Sequence, residues 1–388
     1  MKRAAFLLCI LLSTFAPGFA QSPVSTLAGS VKDSATGRPL SGVSVFLNST
    51  SKGTVTHDDG SFTLTGIPAG RYELIISAIG YSTYLTEINT RHLPASLKIV
   101  LHTQASELAA VTVEPYLKDG WKRYGKFFWD NFIGTTENAS SCTIKNKDVL
   151  RFRFYPKSRK LSVTAVEPLI IANKALGYDL EYRLEAFTCD YSTSIISYYG
   201  YPLFHEMTAD NSDRQQRWEK NRQLAYLGSM MHFMRSLYSG RLQEDGFIVE
   251  HEIEIPNIEK ERVKAIYVPN VTKTDSIPID TLHHYWDVLR EPDYYIQKVK
   301  SYDNLVTINP DQTKSFYFTG DFSVIFGIGH LGIPYTESAM EMMAPTPVEI
   351  EENGMYFPPG TLLSKGNWAR TEKIANLVPR DYTPPPLQ

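Results

Sequence analysis

The sequence predicts an all-β sandwich followed by an α+β domain with mostly antiparallel sheet and one long helix. Three observations carry this expectation. Across the first hundred residues, apolar side chains alternate with period two between clusters of Gly, Pro and Asp. After residue 116, such runs are interrupted by stretches with apolar residues three and four apart. The 388 residues include 23 Tyr, 19 Phe, 5 Trp, 23 Pro and 24 Gly, a usage that favours short strands and tight turns and suffices for two domains.

Composition narrows the function classes. With 43% hydrophobic and 21% charged residues the chain can bury a core, and its formal charge of −3 lacks the basic excess that nucleic acid demands, so no nucleic-acid partner is expected.

Lys2 and Arg3 precede an apolar run from Ala4 to Leu12, and Pro17-Gly18 breaks it before Phe19-Ala20. The run is about half the ~20 apolar residues that span a bilayer, so residues 1–20 read as a cleavable signal peptide, cut before Gln21. Cys9 follows Phe6-Leu7-Leu8 without the small residue of a lipobox, so no lipid anchor is expected. Removing Lys2 and Arg3 moves the formal charge from −3 to −5. No later stretch is long and apolar enough to cross a membrane, and Cys142 and Cys189 stay in the exported chain, either paired or as two separately buried thiols.

Residues 24–103 form the first predicted domain. Val43, Val45 and Leu47 share one strand face, as do Tyr72, Leu74, Ile76 and Ala78, and then Leu97, Ile99 and Leu101. Thr36-Gly37-Arg38-Pro39, Asp58-Asp59-Gly60 and Pro68-Ala69-Gly70 supply the reversals of a small antiparallel sandwich. Asp58 and Asp59 are also the hard oxygen ligands that calcium favours, but a hairpin needs the same Asp-Gly pair.

Gly29-Ser30-Val31-Lys32-Asp33, Thr36-Gly37-Arg38-Pro39-Leu40, Gly42-Val43-Ser44-Val45, Gly53-Thr54-Val55-Thr56, Asp59-Gly60-Ser61-Phe62 and Ile79-Gly80-Tyr81, in this order, resemble the carboxypeptidase regulatory-like domain. The resemblance implies a seven-stranded transthyretin-like sandwich, an accessory module without catalytic residues, of the kind found in envelope proteins of Gram-negative bacteria. His57 stands where the family usually has Asp, which argues against a cation at that hairpin. Residues 104–115 read as a linker: Leu108 and Val111-Thr112-Val113-Glu114 resemble the connection that leads into the plug and barrel of outer-membrane receptors. Only about 270 residues follow, too few for a ~22-stranded barrel.

The second domain, 116–388, opens with an amphipathic helix over Lys118–Phe132, its stripe Trp121, Tyr124, Phe128 and Phe132 suited to docking on its own domain or, alternatively, on a membrane interface. Period-two runs from Val149 to Tyr199 predict antiparallel strands. Ser212 is expected to cap one helix running from Asp213 to Tyr238, with Leu224, Leu227, Met231, Met234 and Tyr238 as its seam and Arg214, Arg217, Lys220 and Arg222 outside. That basic face suits a solvated surface, an acidic glycan or a phosphate-bearing lipid. Strands are expected again at Gly246–Ile255, Arg262–Val268, Ser315–Phe326 and Glu349–Tyr356. The tail from Asn353-Gly354 through Pro358-Pro359-Gly360 and Gly366-Asn367-Trp368-Ala369 to Tyr382 resembles that of uncharacterised Gram-negative envelope proteins.

Catalytic motifs are sparse. His205-Glu206 and His251-Glu252 each lack the second His of a zinc-peptidase helix. His283 and His284, with Asp287, form at most a weak metal or acid–base set, with a polar loop as the plainer reading. Gly327-Ile328-Gly329-His330-Leu331-Gly332 imitates a dinucleotide loop but runs from a strand into Pro334, without the helix N-terminus that a phosphate needs. No Gly-x-Ser-x-Gly elbow occurs, and the acid pairs Glu351/Glu352 and Asp179/Glu181 say nothing without geometry. Asp33-Ser34-Ala35, Asp275-Ser276-Ile277 and Asp280-Thr281-Leu282 resemble an O-glycosylation signal of Gram-negative envelopes. Catalytic residues are therefore unassigned, no cofactor or metal is expected, and the chain is read as a periplasmic or outer-membrane-associated protein that engages an envelope protein or surface glycan without chemistry. The alternative is a periplasmic hydrolase of peptide or glycan with its site in 116–388.

Overall fold

A computed structural model describes residues 24–103, 115–269, 277–300, 302–329 and 332–386, the side chain of Glu252 excepted. The protein is mostly β, with several antiparallel sheets and six helices among the described residues. It divides into two compact units, residues 24–47 with 52–103 and residues 48–51 with 115–386.

The first unit is sandwich-like. One sheet orders β4 (Ser61–Ile67), β1 (Ser25–Asp33) and β7 (Leu97–Leu101); the other orders β3 (Gly53–Val55), β2 (Ser44–Leu47), β5 (Arg71–Ser77) and β6 (Tyr84–Asn89). One pairing departs from the all-antiparallel expectation: β7 lies parallel to β1, Gly29 opposite Leu97. The predicted inward residues Val45, Leu47, Tyr72, Leu74, Ile76, Ile99 and Leu101 are buried. The quoted motifs also find a local physical reason. The Asp33 carboxylate accepts the backbone N–H groups of Ala35 (3.0 Å) and Thr36 (2.7 Å), the Thr36 hydroxyl (2.8 Å) and the Tyr81 hydroxyl (2.7 Å). Four donors on one carboxylate, the Tyr81 hydroxyl foremost, hold it down at about 2.

In the second unit, β12 (Tyr178–Asp190) is the spine of a six-stranded sheet. The strand β13 (Ile195–Glu206) pairs along its whole length, while its other edge takes β11 (Leu169–Asn173) and then β10 (Lys160–Ala165). Beyond them lie β8 (Cys142–Ile144) and β9 (Leu150–Tyr155). Helix α1 (Gly120–Phe132) docks here: Phe128 and Phe132 are buried among Phe152, Tyr182 and Phe187, Tyr124 stacks on Phe154, and a Cβ on Gly120 would meet Phe152 at 2.6 Å. The aromatic stripe is thus committed to its own sheet.

The expected single helix is two. After α2 (Ser212–Tyr226) the chain turns through Leu227-Gly228-Ser229 into α3 (Met230–Ser239). Gly228 sits at φ +73°, its N–H donates to His232 Nδ1 (3.1 Å), its carbonyl accepts Trp368 Nε1 (2.7 Å), and a Cβ there would meet Phe326 at 2.5 Å. The αL backbone and the tight contact make glycine the residue this corner takes. Asn211, not Ser212, caps α2, accepting Arg214 N–H at 2.8 Å; Ser229 caps α3. Of the expected seam, Leu224 is exposed, whereas Met231 and Met234 fill cores. Met231 joins the core of the six-stranded sheet; Met234, with Phe233, joins a second core.

That second core lies on a five-stranded sheet ordered β15 (Tyr294–Lys300), β14 (Phe247–Pro256), β18 (Phe322–Ile328), β19 (Ile333–Met342) and β22 (Leu362–Gly366). A four-stranded sheet follows the order β16 (Val306–Ile308), β17 (Lys314–Phe316), β20 (Val348–Ile350) and β21 (Tyr356–Phe357). The run Ser315–Phe326 is therefore not one strand: Gly320 at φ +67° separates β17 from β18, which join different sheets. Glu349–Tyr356 is likewise a hairpin turning at Asn353-Gly354. Of the run Arg262–Val268, Arg262–Ile266 is helical, the end of α4 (Ile258–Ile266), and Tyr267 is extended: Asn257 caps Lys260 N–H (3.0 Å), Glu259 and Glu261 favour the first turn, and Val263 is buried. Helix α5 (Ile279–Arg290) packs with it, and the short α6 (Asn367–Thr371) carries buried Trp368.

Candidate functional site

In the second unit a cleft of about 640 Å³ lies beside α2. Arg214, Arg217, Trp218, Asn221 and Leu224 line one side at helical spacing; Phe326, Ile333, Pro334 and Thr336 of the β18–β19 hairpin line another. Residues Thr136–Asn138, Ser140, Ser141 and Lys174, and then Asn367, Thr371, Glu372 and Asn376, complete it.

Its walls are fixed by hydrogen bonds. Four consecutive carbonyls of the β11–β12 turn each meet a side chain of α2: Lys174 O accepts Trp218 Nε1 (2.8 Å), Ala175 O accepts Asn221 Nδ2 (2.9 Å), Leu176 O accepts Arg222 Nε (2.7 Å) and Gly177 O accepts Arg222 Nη2 (3.1 Å). Arg222 is consequently buried, 5% exposed, and not part of the outer basic face. Opposite, Asn376 Oδ1 accepts the Thr136 hydroxyl (3.1 Å) and Asn138 Nδ2 (2.9 Å), while Asn376 Nδ2 donates to Thr371 O (3.0 Å). These amides are consumed in building the cleft.

The charged groups left over include two cations and an exposed acid. Arg214 pairs with Asp210 at 2.9 Å, but among the described residues no carboxylate pairs with Arg217 or Lys174, both exposed on the cleft. Two acids also line it. Glu137 is exposed; half-buried Glu372 is pushed above the ordinary carboxylate range by loss of solvent, and its Oε1 accepts Met230 N–H (3.1 Å) at the start of α3.

The other singled-out residues are scattered. His205 and Glu206 end β13, where Glu206 lies 3.5 Å from Arg222; His251 lies on β14, stacked on Phe322. His283, His284 and Asp287 lie on α5, a helix and not a loop, and His284 Nε2 is 2.9 Å from Glu259. Among the described residues no three His, Cys, Asp or Glu side chains gather as a metal set. Asp179 pairs with Lys145 (2.7 Å), and Glu351 opens the β20–β21 turn. Asp59 accepts the Ser61 N–H and hydroxyl within the hairpin, and Asp58 accepts the hydroxyl of Ser41 from a separate loop. The Gly327–Gly332 stretch is the β18–β19 reversal, with Ile328 opposite Ile333; His330 and Leu331 lie outside the described residues. Ser34 is exposed and Thr281 half-buried, whereas Asp275-Ser276 and the segments 1–20 and 104–114 lie outside the described residues.

Cys142 and Cys189 are both free and buried. Cys142 faces Asn173 on β11, itself opposite Tyr178, eleven positions before Cys189 along β12. At about 3.4 Å per residue the two thiols are tens of ångströms apart, which rules out a bond. Burial pushes the Cys142 thiol up to about 12.

The cleft went unread in sequence because it joins residues from 136 to 376. One signal was available: Arg214, Arg217, Trp218, Asn221 and Leu224 recur at three and four, and Trp218 on that stripe marks a packed face and not a solvated one.

Comparison with known proteins places the CarboxypepD_reg-like domain model on residues 27–113. No curated protein matches the chain. Among solved structures, a type II cohesin–X-dockerin complex from Acetivibrio cellulolyticus matches at 21% identity over 20% of this chain and 58% of its own, TM-score 0.19. The 3-chlorocatechol 1,2-dioxygenase of Rhodococcus opacus matches at 16% over 22% and 61%, TM-score 0.18. A putative membrane-associated protein of unknown function from Bacteroides fragilis matches at 10% over 84% and 93%, TM-score 0.17. The chain thus spans about three fifths of the first two matched structures.

Proposed function

With a carboxypeptidase regulatory-like domain at residues 27–113 as its opening module, we propose that the chain is an exported binding protein of a Gram-negative envelope, periplasmic or outer-membrane associated, whose cleft beside α2 takes an acidic glycan. In this reading the first unit is a seven-stranded transthyretin-like sandwich with an accessory role, and residues 1–20 are removed on export.

The observation that supports it most is the pair Arg217 and Lys174, two cations that no carboxylate of the described chain pairs, on a wall locked by the α2 hydrogen bonds to the β11–β12 turn. Carboxylates or sulfates of an acidic saccharide satisfy such cations, a guanidinium doing so in two-point fashion. Exposed Leu224, with Ile333 and Pro334, offers apolar surface for the sugar's C–H face. The experiment is retention of the full chain on immobilised acidic polysaccharide, eluted by salt, against a neutral polysaccharide of equal length. Retention on the acidic matrix alone supports the reading; equal behaviour on both matrices contradicts it.

The second reading, hydrolysis, draws on Glu372, whose raised pKa suits a general acid, with Glu137 as the other carboxylate of the cleft. Binding is the better-supported reading because Glu372 already serves the N-terminus of α3 through Met230. Release of reducing ends or amines by the purified chain, abolished in Glu372→Gln, decides for the hydrolase.

A further inference from the structure

The corner between α2 and α3 borders a second cavity, of about 570 Å³, which shares Leu227 alone with the cleft. Small-molecule sites fall in the range of ~300–1,000 Å³.

His232 of α3 stands in its wall, 5% exposed, with the rings of Tyr226, Phe247 and Phe326 around its imidazole at centroid distances of 4.7, 4.8 and 5.5 Å. Gly228 N–H donates to Nδ1 at 3.1 Å, so that nitrogen carries no proton and the neutral ring bears its proton on Nε2. Burial, chiefly, keeps the ring neutral, with its pKa held down at about 4. Among the described residues no acceptor meets the Nε2 N–H, and this nitrogen is not one of the polar atoms sealed from solvent. The cavity is the space it opens to, and a buried donor calls for an acceptor there. Because Nε2 holds the proton, the group donates a hydrogen bond and cannot serve as a base.

The acceptor's chemistry follows from what stands beside it. Half-buried Asp245, on the same wall, accepts the Ser236 hydroxyl at 2.6 Å and Arg241 Nη2 at 3.0 Å and has lone pairs to spare. A hydroxyl set between the two can accept from His232 and donate to Asp245. A carbonyl would serve the histidine alone, an ammonium the carboxylate alone.

Charge excludes an ionic ligand. Arg235 is spent on the carbonyls of Asn353 (3.2 Å), Arg380 (2.8 Å) and Tyr382 (3.0 Å), and Arg241 is paired with Asp245. Exposed Glu352 is the remaining acid, so the wall's cations and carboxylates balance. Pro384, Pro385 and Pro386 close another side; lacking N–H groups, they add carbonyls and apolar C–H surface, continued by the half-buried ring of Tyr238.

We propose that this cavity binds a small neutral saccharide, one hydroxyl bridging His232 Nε2 and the Asp245 carboxylate and the C–H faces of the sugar lying on Tyr238 and the proline segment.

Calorimetric titration of the full chain with glucose, galactose, N-acetylglucosamine and lactose tests this. Saturable binding of at least one is expected, with a Kd of about 1 mM or tighter that is the same in low and high salt. His232→Asn keeps an acceptor for Gly228 N–H but loses the donor, and weakens binding about 10-fold. Ser239→Trp, an exposed position on the cavity, fills the space and abolishes binding without touching the histidine. The double variant Lys174→Ala, Arg217→Ala, in the cleft, leaves it unchanged. Failure of all four sugars to bind, binding that survives Ser239→Trp or ignores His232→Asn, or binding lost with the two cleft cations overturns the proposal.

Discussion

The guanidinium of Arg222 lies 4.0 Å from the centroid of the Tyr178 ring while donating to the carbonyls of Leu176 and Gly177. One side chain thus joins α2 to the start of β12, the spine of the six-stranded sheet, and aligns the cleft wall that carries Trp218 and Arg217. Arg222→Ala leaves the Leu176 carbonyl without a donor, while Gly177 O keeps the Met207 N–H (2.9 Å), and it removes the stacking cation. A loss of about 2–4 kcal/mol in urea unfolding is expected, with Arg222→Lys recovering part of it.

The corner between α2 and α3 gives a second prediction. In Gly228→Ala the new Cβ meets Phe326 at 2.5 Å in a left-handed backbone. Strain and overpacking together put the cost at about 3 kcal/mol or more, read as a fall in unfolding midpoint.

His232 sets a pH dependence. Burial, chiefly, drives its imidazole down to about 4 from an ordinary 6.5. The unfolded chain then takes up its proton first, so the stability this residue contributes is present above pH 6.5 and is lost as pH falls towards 4, on the order of 3 kcal/mol in all. Glu372, pushed up by burial, acts with the opposite sign, since its folded form binds a proton at higher pH than the unfolded chain does. Comparing unfolding free energies of the parent and His232→Gln between pH 7 and 4 isolates the histidine: the variant loses less stability over that window. Parallel curves contradict the assignment.

The thiols give a third kind of test. Cys142 is buried and its pKa is pushed to about 12, so native protein leaves it unlabelled by a thiol reagent at pH 8, and unfolding exposes it. Peptide mapping that finds a Cys142–Cys189 bridge contradicts the fold.

Much of the architecture was legible because local chemistry announces it. Val45, Leu47, Tyr72, Leu74 and Ile76 are buried as the pattern predicts, but Phe46, Glu73 and Ile75 between them are buried too, so these strands are covered on both faces; the aromatic stripe of α1 packs through Phe128 and Phe132 on its own sheet. Misreadings fell where two patterns compete over a few residues. Val263, Ala265 and Tyr267 alternate by accident with Arg262 and Lys264 at the end of a short capped helix, and Gly228 and Gly320 each split a run that periodicity alone continues. Arg222 looked like an outer cation because its partners, the carbonyls of Leu176 and Gly177, lie some 45 positions away in sequence. The cleft was illegible for the same reason: its walls are joined by side chain to backbone bonds between distant segments, which leave no periodic trace.

The most direct test of the account is an equilibrium titration of the full chain with a soluble acidic oligosaccharide, beside Lys174→Ala, Arg217→Ala and their double variant. Saturable binding that weakens with salt is expected, each single variant losing roughly 10-fold in affinity and the double losing it altogether. Unchanged affinity in the double variant, or binding that ignores both salt and the ligand's charge, contradicts it.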